Sequence, residues 1–250
     1  MDPLTITAAA GMRARLESLD LVANNLSNAS APGFKADRES FSIYLSEETK
    51  SAQQDGAGPT QSFLPVVQSR WTDSSQGELR ATGSMNDLAL SGKGYFQIQG
   101  PDGALFTRDG RFTVTSAGKM VTPKGFEFSG DSGQPIQLDP ALSVSVDGDG
   151  TVRQQGVEVG RLKLVNWPDE TQSTKRAGGC FQLASNSLEG LQHSTAQLRQ
   201  GFQEQSNLNP AEASVRLIDI MRQFESLNKA AQMGGDLDRY AVEDVAKVTA

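Results

Sequence analysis

The chain has 250 residues, a net charge of −7, 37% apolar and 6% aromatic residues, one cysteine and one histidine. The acidic balance argues against a dedicated nucleic-acid binder. One cysteine excludes an internal disulfide and a multi-cysteine metal site, and no apolar run reaches the length of about 18 residues that a membrane-spanning helix needs.

The low apolar share and the 25 glycines suit a turn-rich β protein, or one that completes its core against neighbours. The opening residues MDPLTITAAAG lack the basic start and continuous apolar stretch of a cleaved secretory signal. Composition alone therefore points to the cytoplasm.

In chain order, a first helix is predicted from Pro3, with Asp2 as N-cap. Ala9, Met12, Leu16, Leu19, Ala23 and Leu26 recur at alternating steps of three and four, a narrow seam on one face. The helix should stop near Asn28, because Pro32 and Gly33 follow, and Phe34 is expected to be an apolar anchor. Asn24 and Asn25 either cap the helix end or bond through their amides to a neighbouring chain. Asn25 and Asn28 also match the glycosylation acceptor pattern, which is discounted without a secretory signal.

Residues 36–50 either extend the helix or form one arm of a hairpin. Residues 53–62 are a loop by composition, and FLPVVQSRW, residues 63–71, reads as a strand that Pro65 places at a sheet edge. From Gly77 to Leu183 short apolar stretches alternate with turns such as Pro101-Asp102-Gly103 and Arg108-Asp109-Gly110. That spacing predicts antiparallel meanders with one face buried. Residues 187–209 are polar and read as a return connection.

Pro210 opens the last helix, with Asn209 as N-cap and Glu212 in its first turn. Ala213, Leu217, Ile220, Phe224, Leu227 and Ala231 repeat the heptad seam, and Gly234-Gly235 should end or break the helix. Neither helix can bury enough alone, so the two ends are expected to pair. The predicted fold is α+β: N- and C-terminal helices paired as a coiled coil, with a central antiparallel all-β domain inserted between them. Residues 1–35 and 205–250 form the helical part, 36–80 an extended arm and 81–204 the β domain with its return connection.

No catalytic, cofactor-binding or metal site stands out. His193 and Cys180 lie in stretches with no sign of activation, so an exposed histidine and a packed cysteine are expected. Asp147-Gly148-Asp149-Gly150-Thr151 resembles the start of a calcium loop, but Val152 stands where a glycine must turn, and a hairpin is favoured. Gly92-Lys93-Gly94 lacks the remaining glycine and the helix of a nucleotide loop, so it is a turn. The acids offer no distinct catalytic pair, and two tryptophans are few for stacking on sugars.

The stretch ANNLSNASAPGFK, Ala23 to Lys35, resembles the N-terminal signature of the bacterial flagellar rod and hook family, Ala-Asn-Asn-Leu-Ala-Asn followed by Gly-Phe-Lys. Ser206-Asn207-Leu208 and the run MRQFESLNK from Met221 to Lys229 resemble that family's C-terminal motifs. Asp87 to Phe96, TRDGRFTV from Thr107 and GRLKLV from Gly160 fit its middle, so the likeness covers nearly the whole chain. Gln203-Glu204-Gln205 stands where Glu-Gly is usual, and Ser27 and Ala31 replace the common Ala and Thr. The lack of an added Gly-rich stretch in residues 51–76 resembles the proximal-rod members, with distal-rod members as runner-up.

The resemblance implies a structural subunit of the basal-body rod, polymerising through its terminal helices and transmitting torque. It implies export through the flagellar apparatus without a cleaved signal, and a place in the periplasmic rod, which overrides the cytoplasmic reading. Partners would be copies of itself and neighbouring rod subunits, with no nucleic acid, membrane insertion or cofactor. Expected contact residues are Met12, Leu16, Leu19, Asn24, Asn25, Leu26, Phe34, Leu217, Ile220, Phe224 and Leu227. The rival is a secreted β-rich domain that binds or hydrolyses carbohydrate, which needs an aromatic platform or paired carboxylates in a cleft.

Overall fold

A computed structural model describes residues 3–45, 63–167, 173–176, 178–183 and 191–248. The chain divides into two compact units: residues 1–27, 37–71 and 209–250 form a helical unit, and residues 28–36 and 72–208 form a β unit. Asp2 and the loop at 53–62 lie outside the described residues.

The helical unit contains α1 (Pro3–Ser27), the strands β1 (Asp37–Leu45) and β2 (Phe63–Thr72), and α2 (Pro210–Val248). α1 stops where the sequence runs into Pro32-Gly33. Residues 37–45 take the hairpin-arm alternative, pairing with β2 in a two-stranded sheet, where each strand is an edge and Pro65 is tolerated. α2 begins at Pro210 with Asn209 as cap: its side-chain oxygen accepts from the Ala211 N–H at 3.0 Å.

α2 does not end at Gly234-Gly235 as expected; it runs on to Val248. A glycine inside a helix costs only about 1 kcal/mol relative to alanine. Gly234 is buried and takes the next place in the stripe Ala213, Leu217, Ile220, Phe224, Leu227 and Ala231. A small residue there suits close packing.

The two helices pack along each other, with Gly11 against Leu227, and Leu21 and Val22 against Ile220. Higher positions on α1 meet lower positions on α2, so the pair is antiparallel. The stripe that α1 buries is Ala8, Gly11, Ala14, Ser18, Leu21, Val22 and Asn25. This corrects the predicted seam by one residue, roughly 100° of helix rotation. Ala9 and Ala23 are exposed, Leu16 is 48% exposed, and Met12, Leu19 and Leu26 lie at the margin. The reason is steric. A Cβ on Gly11 would stand 3.1 Å from a Leu227 methyl, so small residues let the helices approach where leucines would hold them apart. Ser18 joins the stripe because its hydroxyl donates to the Ala14 carbonyl at 3.0 Å.

The β unit is an antiparallel assembly. Its largest sheet holds, in spatial order, β15 (Ser173–Arg176), β16 (Cys180–Leu183), β6 (Gly103–Thr107), β5 (Tyr95–Gly100), β10 (Glu127–Phe128), β9 (Met120–Val121) and β8 (Thr113–Val114). Two further strands branch from it, β14 (Leu164–Asn166) and β17 (Gln192–His193), with β14 also pairing β5. Smaller sheets are built from β11 (Val144–Val146), β12 (Thr151–Gln154) and β13 (Val157–Arg161); from β18 (Gln197–Gln200), β4 (Asp87–Ser91) and β7 (Gly110–Arg111); and from β19 (Phe202–Glu204) with β3 (Leu79–Ala81).

The core beneath them is contiguous and includes Leu88, Leu90, Phe96, Ile98, Phe128, Val152, Leu162 and Leu164. A second cluster stacks Tyr95 on Trp167 at 4.3 Å, with Phe106 and Phe181 edge-on. The return connection read from residues 187–209 is a correction too, because β17, β18 and β19 lie within it. Their polar side chains mask a strand that inserts only Leu198 into the core, while Gln200 bonds the Met85 and Val144 carbonyls at 2.7 and 2.9 Å. Asp147 to Thr151 forms the expected hairpin turn between β11 and β12.

Candidate functional site

Two features stand out from ordinary packing, one in each unit. The first is the surface of the helix pair. Val215, Ile218 and Met221 on α2 are 60%, 50% and 50% exposed, and Met233, Leu237 and Tyr240 are exposed as well. With Leu16 on α1, these large apolar side chains lie outside the stripes that α1 and α2 bury between them. Such faces mark interaction surfaces in soluble chains. The inner cluster is thin in contrast: Leu21, Val22 and Ile220, flanked by Leu19 and Leu217.

The helices also differ in length. α2 has 39 residues and α1 has 25. Extending the antiparallel pairing of Gly11 with Leu227 brings the first turn of α1 level with Gly235. Beyond it α2 continues for roughly 20 Å at 1.5 Å per residue, carrying Leu237 and Tyr240.

The remaining expected contact residues divide as follows. Ile220 is buried; Leu217, Phe224 and Leu227 are partly buried in the α2 stripe. Asn24 is exposed. The Asn25 amide is used within the chain, donating to the Asp37 carbonyl at 2.7 Å and accepting from the Asp37 N–H at 2.9 Å. The Asn25 amide thus ties the end of α1 to the point where the chain re-enters the helical unit. Glu39 on β1 is buried and pairs with Arg216 on α2 at 2.9 Å, pinning the β ribbon to the helix.

The second feature is a buried ionic cluster in the β unit. Lys35, in the Gly-Phe-Lys motif, and Glu204, on β19, have fully buried side chains 2.6 Å apart. The second Glu204 oxygen takes Arg108 at 3.1 Å. Glu204 Oε1 also accepts the Gly77 N–H at 3.0 Å, and Lys35 donates to the Ser75 carbonyl at 2.7 Å. Burial pulls the Lys35 ammonium below the usual lysine range, and the Glu204 carboxylate opposes that shift.

Backbone geometry is built around the same carboxylate. Gly33 sits at φ 67°, and a Cβ there would meet the Arg108 carbonyl carbon at 2.5 Å. A Cβ on Gly77 would meet the Gln205 carbonyl oxygen at 2.0 Å. No other residue fits either position. Phe34 is the expected apolar anchor: it is buried, with the Lys175 ammonium 3.8 Å from its ring centre.

Lys35, Arg108 and Asn207 fall inside the sequence motifs, and Glu204 stands where the chain departs from one. The available signal was that Lys35 is the one charged residue of the Gly-Phe-Lys turn and Asn207 the one amide of Ser206-Asn207-Leu208. Their pairing across 169 residues could not be read from spacing.

Neither feature resembles a catalytic centre. His193 is exposed and Cys180 is packed in the core, where burial pushes its thiol pKa up. A small cleft of about 70 Å³ is lined by Ser74, Lys93, Gly94, Tyr95, Arg108, Asn166 and Trp167, with no carboxylate among them. Tyr95 and Trp167 are 7% and 5% exposed, so their stacked rings offer no open platform for a sugar.

Comparison with known proteins agrees with the motifs. Residues 89–154 match the family described as flagellar hook protein FlgE/F/G D1 domain, and residues 199–243 match the flagellar basal body rod FlgEFG protein C-terminal family. The flagellar basal-body rod protein FlgF of Caulobacter vibrioides is 35% identical over 231 residues, covering 92% of each chain. FlgG of Buchnera aphidicola is 34% identical, covering 92% of this chain and 94% of its own. FlgF of Mesorhizobium japonicum is 33% identical, covering 86% of this chain and 85% of its own. Of the two kinds, FlgF is the more similar.

Proposed function

Because the chain belongs to the flagellar basal-body rod protein family, we propose that it is a structural subunit of that rod which polymerises through its terminal helices. The observation that carries this reading is the helix pair's surplus of apolar surface. Val215, Ile218, Met221, Leu237 and Tyr240 face away from a thin inner cluster, on a helix longer than its partner.

Copies of the chain and neighbouring rod subunits would cover that surface, packing the terminal helices as an inner coiled coil. In this division of labour residues 1–35 and 205–250 make the rod core, 36–80 an arm, and 81–204 the outer β domain. Met12, Leu16, Leu19, Asn24 and Leu26 on α1, and Leu217, Ile220, Phe224 and Leu227 on α2, are the contact positions.

The role is mechanical. Torque would pass through many helices side by side, each weak alone, and the reading assigns no catalysis or cofactor. Export through the flagellar apparatus and a periplasmic position follow from the same proposal.

The test is Leu217→Asp. A charge in the thin cluster is buried without a partner, so the variant should be made and retain its β unit but fail to enter the rod, leaving cells without hooks. Normal filaments with Leu217→Asp would remove the helical assembly from the account.

A further inference from the structure

The ionic cluster lies within the β unit, and Lys35 and Glu204 are close in sequence to points where the chain passes from one unit to the other. Those crossings fall at residues 27/28, 36/37, 71/72 and 208/209. The segments that flank them inside the β unit are tied together. The Gly33 N–H donates to the Glu204 carbonyl at 2.8 Å, and the Ala36 N–H donates to Asn207 Oδ1 at 2.8 Å. Asn207 Nδ2 donates to the Asp73 carbonyl at 2.7 Å, and the Asp73 N–H to the Ala36 carbonyl at 2.8 Å. Lys35, Gly77 and Arg108 converge on the Glu204 carboxylate, and Asp73 lies close enough to act on Lys35 electrostatically.

A buried ion cluster is a poor way to gain stability, since apolar side chains of equal volume often do as well. What it supplies is direction, because each donor and acceptor fixes the position of its own segment. Here those segments are the roots of both terminal helices.

We propose that Glu204, with Lys35, Arg108 and Asn207, is a clamp that holds residues 28–36 and 204–208 together in the free subunit. The helices that continue from them are thereby presented side by side for assembly. Glu204 and Asn207 are positioning residues in this role. Two weak helices joined only through the rest of the chain meet rarely, whereas helices rooted at one point pair as neighbours. The clamp rests on the rod reading for its purpose but not for its existence.

Hydrogen exchange on the purified full-length chain, dilute enough to be monomeric, tests it. In the unaltered protein the amides of Gly33, Ala36 and Gly77 should exchange as slowly as those of Leu88 to Leu90. Glu204→Gln should speed them by about a hundredfold and Asn207→Ala by about tenfold, with the Leu88–Leu90 and Phe96–Ile98 amides unchanged. Both variants should enter basal bodies at least tenfold less than the unaltered chain.

If Glu204→Gln unfolds the β unit, Asn207→Ala, which removes no buried charge, carries the test. Fast exchange at Gly33 and Ala36 in the unaltered protein would overturn the clamp. So would unchanged exchange in Asn207→Ala, or full incorporation of a variant whose root amides have opened. Leu217→Asp should fail to assemble while its root amides stay slow, so failure of the rod reading would be recorded by that variant and failure of the clamp by these.

Discussion

The β unit and the helical unit solve the burial problem in opposite ways. In the β unit Phe96, Leu88, Leu90 and Ile98 are fully buried in a contiguous core, and a second aromatic cluster centres on Trp167. In the helical unit the inner cluster is Leu21, Val22 and Ile220, while larger side chains such as Met221, Leu237 and Tyr240 remain in water. One unit holds a large core of its own, with only Met85, Val157 and Val159 among its described large apolar side chains left exposed. The other carries its apolar side chains on the outside, where a single copy of the chain gives them little to pack against.

The contrast predicts unequal responses to core truncation. Phe96→Ala removes a ring that meets Phe128 edge-on at 5.8 Å and should cost about 3–5 kcal/mol. It should appear as a lower urea midpoint followed by the fluorescence of Trp167, with Trp71 of the helical unit replaced by Phe in both backgrounds. Ile220→Ala, in a cluster that can partly collapse, should cost about 2 kcal/mol and be felt as lost helical circular dichroism, with the fluorescence transition unmoved. Equal losses in both signals would make the two units one cooperative body and break the comparison.

The same contrast explains what could be read from sequence. The β meander was legible because Gly and Pro turn signals punctuate short apolar alternations, as at Pro101-Asp102-Gly103 between β5 and β6. The α2 seam was legible because Leu217, Ile220, Phe224 and Leu227 are both the bulky residues and the inward ones. α1 was misread by one position because its inward residues are Ala8, Gly11, Ala14 and Ser18, small ones that no hydrophobicity pattern marks. β17 to β19 were missed because polar residues fill strands whose inward positions are few. The clamp was hidden because ion pairs across a long separation leave no periodicity.

A smaller effect sharpens the claim that the β core is sealed. Burial raises the Cys180 thiol above its ordinary pKa of 9.0. Below that pH the thiol is protonated in both states and its contribution is fully present. Above it the unfolded chain loses the proton first, so the folded state binds more protons and stability falls as pH rises towards the folded value. Between pH 9 and 10 the unaltered protein should therefore lose more stability than Cys180→Ala does. Urea unfolding of both at the two pH values isolates the difference, since other groups titrate alike in each. Parallel losses would mean that the thiol reaches water.

The most direct test of the account is Ile218→Asp. Ile218 is 50% exposed on α2, so in the single subunit a charge there should change stability by no more than about 0.5 kcal/mol. If its face is covered by a neighbouring copy, the same charge is buried at every repeat of the assembly. The measurement is electron microscopy of basal bodies from cells that carry only this variant, together with thermal unfolding of the purified chain. The account predicts an unchanged unfolding midpoint and no rod extending beyond the position of this subunit. Complete rods and hooks built with Ile218→Asp would contradict it.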